Sequence, residues 1–216
     1  MKTQLAKFIC GLAVLGAATA ATAQVTSAVS NLGTPGQFVY VYNGQWIAKE
    51  FTTGASATNL NSVDLEVQIA GAPAGFGVSL FDNVSGQPGT SLVTLTGPTP
   101  SALTYADYIY AAPANTILSA NTSYWLVLSA TAAPDFSNAF EVGRLPSSDT
   151  SYSGLSDWSL TPGDAGSGNQ GSSWNVYPSD NNPMIQVNIG EVPEPATLTL
   201  STMGGLGWWL LLRRRK

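Results

Sequence analysis

Two carboxylates one residue apart, Asp64 and Glu66, are the closest approach in this sequence to an acid–base pair. In an extended strand, side chains two positions apart leave the same face about 7 Å from each other. That separation falls within the range that glycoside hydrolysis uses. The run Val63-Asp64-Leu65-Glu66-Val67-Gln68-Ile69 alternates strictly, however, and alternation alone makes both acids the solvent face of an amphipathic strand. The solvent-face reading is adopted here. Asp157, Asp164 and Asp180 share one long polar segment and meet only if the fold brings them together. Asp164-Ala165-Gly166-Ser167-Gly168-Asn169 offers oxygen ligands of the kind calcium takes but lacks the spacing of a calcium loop, so it reads as a polar turn. The chain has no histidine, which removes His-based triads, His metal sites and His pH switches. No nucleophile elbow, Walker loop, zinc-protease helix, Cys pair or dinucleotide fingerprint is present. No catalytic residue, metal or cofactor is assigned, and the chain is read as a non-enzyme.

Four aromatic residues stand in the same polar segment, residues 145–183: Tyr152, Trp158, Trp174 and Tyr177. Exposed, they would be glycan-binding residues, stacking on sugar rings while neighbouring Asn, Asp and Ser side chains bind hydroxyls. Folded back, Trp158 and Trp174 would cover the open end of a core. The burial preference of large aromatic side chains favours the covering role.

The 216 residues suffice for one domain, and 44% hydrophobic content supplies a core. Only 10% are charged, against roughly a quarter in an average soluble domain. Six of the eight basic residues lie at the two ends. Residues 24–192 retain Lys49 and Arg144 against twelve carboxylates, a net charge of about −10 that repels nucleic acid. The only cysteine is Cys10, so the middle of the chain cannot form a disulfide.

That middle reads as one all-β domain, residues 24–190, with short β-rich runs separated by turn residues. The clearest strand is Val63 to Ile69. Phe38–Tyr42 and Trp46–Thr52 flank Asn43-Gly44, a hairpin signal. Gly77–Phe81 and Leu92–Thr96 flank a longer turn over Asn83–Ser91. Further strands are expected at Thr104–Ala111, Phe140–Gly143 and Met184–Ile189, and Tyr124–Ser129, apolar on both faces, is expected at a sheet centre. The sum is an antiparallel sandwich of eight to ten strands, with Val63, Leu65, Val67, Ile69, Leu126 and Leu128 facing inward. Residues 145–183 read as a long loop.

Both ends read as addresses. Residues 1–23 combine Lys2 and Lys7, an apolar run from Phe8 to Ala20, and Ala21-Thr22-Ala23 before Gln24. That is the order of a signal peptide cut by signal peptidase between Ala23 and Gln24. Residues 191–216 hold Val192-Pro193-Glu194-Pro195, then uncharged Ala196 to Leu212, then Arg213-Arg214-Arg215-Lys216. As a helix, the uncharged stretch would span about 25 Å, enough for a thin bilayer, with the basic cluster held on the cytoplasmic side.

This tail resembles the PEP-CTERM sorting tails of exported Gram-negative proteins, on Pro193-Glu194-Pro195, the glycine-containing apolar stretch and Arg213 to Arg215. The resemblance implies recognition by exosortase, a membrane cysteine protease, and passage from an inner-membrane-anchored precursor to the cell surface or extracellular matrix. The middle is similar to the choice-anchor R type of exported β-sandwich. Glu50-Phe51-Thr52-Thr53-Gly54, Leu60-Asn61-Ser62-Val63-Asp64-Leu65, Gly86-Gln87-Pro88-Gly89 and Asn121-Thr122-Ser123-Tyr124-Trp125-Leu126-Val127-Leu128 carry that likeness, which implies a jelly-roll-like sandwich and no catalytic residues. The expected function is a structural or adhesive surface component in an exopolysaccharide or biofilm setting. A glycan-binding module is the alternative, and a carboxylate-dependent glycan hydrolase a third reading.

Overall fold

The strand read from Val63 to Ile69 is the middle of a longer one. In the computed structural model, which describes residues 25–133, 135–178 and 181–190, it runs from Thr58 to Ala70. The strands are, in order, β1 (Val25–Ser30), β2 (Gln37–Val41), β3 (Trp46–Thr52), β4 (Thr58–Ala70), β5 (Ala74–Val84), β6 (Gln87–Leu95), β7 (Ala106–Ala111) and β8 (Ile117–Leu118). There follow β9 (Ser123–Ala132), β10 (Ala139–Leu145), β11 (Ser153–Gly154), β12 (Ser159–Leu160), β13 (Asp164–Ser167), β14 (Asn175–Tyr177), β15 (Asn182–Pro183) and β16 (Ile185–Gly190). The described residues contain no α-helix, only a short 3-10 turn at Phe136–Asn138.

Two antiparallel sheets form a β-sandwich. The first runs β11-β1-β16-β4-β10-β15, with β2 on β10 and β7 and β8 on β4. The second runs β14-β13-β3-β9-β5-β6, with β12 on β3. Strand β4 is long enough that β16 pairs with Asn59–Leu65 and β10 with Val67–Ala70, while β7 pairs with Ser62–Val67. The alternation read from the sequence orients it as expected. Val63, Leu65 and Val67 are fully buried, as are Leu126 and Leu128 opposite, and Ile69 is partly buried against the same core. Strand β9 does lie at a sheet centre, between β3 and β5. Its other face, Trp125 and Val127, forms a second apolar cluster with Ala48, Ala165 and Trp174.

Four expectations need correction. Asn43-Gly44 does not close a paired hairpin: Tyr42 and Gln45 bridge across the turn, but β2 joins the first sheet and β3 the second. The reason is that β3 already has β9 on one edge and β12 and β13 on the other. The turn from β5 to β6 is tight rather than long. Ser85 and Gly86 both take positive φ, 55° and 79°, the geometry that lets a two-residue turn follow strand twist, and Asn83 Oδ1 accepts from Gly86 N at 2.8 Å. The strands number sixteen among the described residues, not eight to ten. Most of the surplus lies in residues 145–183, which form five short strands, β11 to β15, in place of a loop.

Trp158 shows why that segment is ordered. Its ring is buried and lies parallel to Phe51, with centroids 6.2 Å apart and planes 8° from parallel. A methyl at Gly54 would sit 2.8 Å from Trp158 Nε1 and closer still to the Asp157 carboxylate, so only glycine admits this approach. Replacing Trp158 with alanine should cost about 3–5 kcal/mol. A lower urea midpoint at unchanged m value would register it; a shift under about 0.5 kcal/mol would place the ring outside the core.

Candidate functional site

Among the described residues, the sandwich interior contains one side-chain amine, Lys49. Ile47, Lys49 and Phe51 alternate on β3, and all three are buried, so Lys49 points inward between two core residues. Its Nζ donates to Thr161 O at 2.6 Å and Gly163 O at 3.0 Å, and is in contact with Asn182 Oδ1. Burial pulls the amine's pKa down to about 8, against the opposing charges of Asp164 and Glu50. Gly163 presents its carbonyl from a left-handed turn, φ 82°, where a methyl would fall 2.0 Å from Tyr177 O. No other residue type fits there. Asn182 Nδ2 donates to Asp149 O at 2.8 Å, and Asn181 Nδ2 to Asp164 Oδ2 at 3.3 Å. Asp149 is half-buried, and the hydroxyl and amide of Ser151 hold its carboxyl below the usual range. An amine in a dry site with a lowered pKa has the character of a nucleophile.

Sequence reasoning missed this cluster. The available signal was Lys49 at an inward position of an alternating run, Ile47-x-Lys49-x-Phe51, since a strand face that buries its neighbours buries it too.

The predicted carboxylates lie elsewhere, on the outer face of the first sheet. Asp64 accepts from Asn188 Nδ2 at 2.9 Å and Gln186 Nε2 at 3.0 Å, both on β16. Glu66 stands opposite Asp107 of β7. Partial burial raises the pKa of Asp64, as does Asp107, against the lowering by Asn188 and Gln186; burial and then Asp107 raise that of Glu66. Nearby, Gln68 donates to Glu141, and burial with the charges of Glu141 and Glu66 pushes the Tyr105 hydroxyl up to about 12. Asp157 is used locally, accepting from Ala55 N at 2.8 Å, and Asp180 lies outside the described residues. Among the described residues, no group of three or more acidic or cysteine side chains is placed to hold a metal ion.

The four candidate aromatics separate. Trp158 and Trp174 are buried, Trp158 in the main core and Trp174 against Trp125 on the outer face of the second sheet, so neither offers a free face for stacking. Tyr152 and Tyr177 are exposed. Tyr177 lines a groove of about 440 Å³ with Asp164, Asn175, Asn181 and Gln45. A second groove, about 490 Å³, lies between Phe38, Gln68, Tyr105 and Arg144, whose Nε donates to Phe38 O at 3.0 Å.

Residues 191–216 match a family model described as the PEP-CTERM protein-sorting motif. The chain carries a sorting tail. The PEP-CTERM motif indicates an exported protein that exosortase sorts and processes at the membrane. The match includes Val192 to Pro195 and Arg213 to Lys216, which lie outside the described residues, as do Ala21, Ala23 and Gln24 of the expected signal cleavage site. Among the described residues, no helix is long and apolar enough to cross a membrane. No curated protein matches the chain.

The acidic outer face generates a pH dependence. Asp64 and Glu66 have folded pKa values above their unfolded ones, so their contribution to stability is full below the unfolded values and is lost as pH rises through the folded values. Asp107→Asn should therefore stabilise the protein at pH 7 by a margin that shrinks toward pH 4. Melting temperatures across that range would show it, and carboxyl NMR titration should find the Glu66 midpoint lowered; an unmoved midpoint would contradict the coupling.

Proposed function

We propose that this is a non-enzymatic surface or extracellular-matrix protein whose ectodomain serves as a structural or adhesive module beside exopolysaccharide. The observation that carries the reading is the PEP-CTERM motif directly following a β-sandwich whose last strand ends at Gly190. In this reading signal peptidase cuts after Ala23, the domain of residues 24–190 folds outside, and the tail holds an inner-membrane precursor through Ala196 to Leu212. The domain is a choice-anchor R-like, jelly-roll-like module. Support comes from how the polar groups are used. Asp64 is tied to Asn188 and Gln186 within its own sheet, and Asp157 to the backbone of Ala55.

One observation favours glycan binding as a second reading. Tyr177 shares an open polar groove with Asn175, Asn181 and Gln45, a combination of ring face and amides that suits a sugar. Tyr177→Ala and Asn175→Ala should each weaken retention on an immobilised exopolysaccharide if this groove binds it.

The sorting reading is tested at the motif. Proline at positions 193 and 195 lacks an amide donor and restricts the residue before it, which opposes regular helix and favours an extended, protease-accessible segment. The mature surface protein should lack Arg213 to Lys216. Glu194→Ala combined with Pro195→Ala should leave uncut precursor in the inner membrane. Intact mass of the surface fraction decides the matter, and a mature species still ending at Lys216 would reduce the tail to an ordinary anchor.

A further inference from the structure

The surroundings of Lys49 are arranged for bond formation. Its side chain is 0% exposed, Asp164 is 2% exposed and Asn182 is 4% exposed, so water has little access. A neutral amine has two N–H bonds and one lone pair. Nζ donates to three acceptors, Thr161 O, Gly163 O and Asn182 Oδ1, so on losing one proton it can keep the bonds to Thr161 and Gly163 and turn its lone pair to the Asn182 carboxamide it already touches. That carboxamide is fixed from its other side by the bond from Nδ2 to Asp149 O. Asp164 stands at the third corner. Ala165 pairs with Ala48, so the next position of the same antiparallel register sets Asp164 across from Lys49. Asn181 donates to the Asp164 carboxylate and helps orient it.

A competing reaction is blocked by sequence. An asparagine side chain is ordinarily attacked by the backbone nitrogen of the following residue. Here that residue is Pro183, which has no N–H.

We propose that Lys49 and Asn182 join in an intramolecular isopeptide bond, with Asp164 as the proton relay. The neutral Nζ attacks Cγ of Asn182, forming a C–N bond and a tetrahedral centre. Asp164 takes the proton released by Nζ and delivers it to Nδ2. The Cγ–Nδ2 bond then breaks and ammonia leaves. No oxidant or cofactor is consumed, and the product is a secondary amide plus one ammonia. The depressed basicity of Lys49 supports the step, because only the unprotonated amine has a lone pair to give. Asp164 and Asn181 also line the open groove beside Tyr177, which provides a way out for the leaving group. The bond ties β3 of the second sheet to β15 of the first, in a domain that has no cysteine to do so.

The full chain, purified and denatured, should be digested with trypsin and with a glutamate-specific protease and sequenced by mass spectrometry. Intact mass alone is ambiguous, since an amino-terminal Gln24 that cyclises loses the same ammonia. The expected result is a branched peptide joining the segments around Lys49 and Asn182, lighter than their sum by one ammonia, with no tryptic cut after Lys49. Asp164→Asn, which preserves shape, should give two unlinked peptides, a cut after Lys49 and a lower melting temperature. A wild-type protein that trypsin cuts after Lys49 in full would overturn the proposal, and this reading does not require any variant to fold. A branched peptide that persists in Asp164→Asn would overturn the role of Asp164.

Discussion

A single amine inside an apolar sandwich dictates where the last third of this chain must go. Lys49 is placed there by the alternation of β3, and a polar group removed from water must find partners or cost several kcal/mol. Its oxygen partners, Thr161, Gly163 and Asn182, all lie in the segment whose composition is that of a loop. Three fixed points within about twenty residues leave that segment little freedom. Trp158 against Phe51 and Trp174 against Trp125 then fix its remaining length.

The result is a sandwich with two apolar layers instead of one. The main layer lies between the sheets, and the second lies on the outer face of β13, β3 and β9, where Trp174 packs with Ala48, Trp125, Val127 and Ala165. This explains why β9 is apolar on both faces although its sheet belongs to an antiparallel sandwich, where one face normally meets water. Asn31 performs a similar task on the first sheet, donating to Pro183 O at 3.1 Å and accepting from Ile185 N at 2.8 Å, and so carries the chain from β15 into β16. At this point a buried side chain stands in for backbone pairing.

Much of the fold was legible because period-two alternation is a local signal. Val63 to Ile69 announced its inward face, and Trp46 to Thr52 announced its limits. What failed was non-local. The Asn43-Gly44 signal reports a tight turn correctly but cannot say that the following strand has both edges taken by β9, β12 and β13. Residues 145–183 look like a loop because strands of two to four residues are too short to show a period. The sorting motif was legible because it is a linear signal carried by consecutive residues. The Lys49 cluster was not, since its members are separated by more than a hundred residues and meet only through sheet topology.

The two ends of the domain leave it side by side. Strand β1 pairs with β16 so that Val25 lies opposite Gly190, and β16 is flanked on its other edge by β4. The tail therefore emerges from a strand bonded on both sides along its length. A pull directed along β16 would run parallel to its neighbours and across the rows of hydrogen bonds that hold it. Those rows are loaded together in shear and cannot open one after another like a zipper.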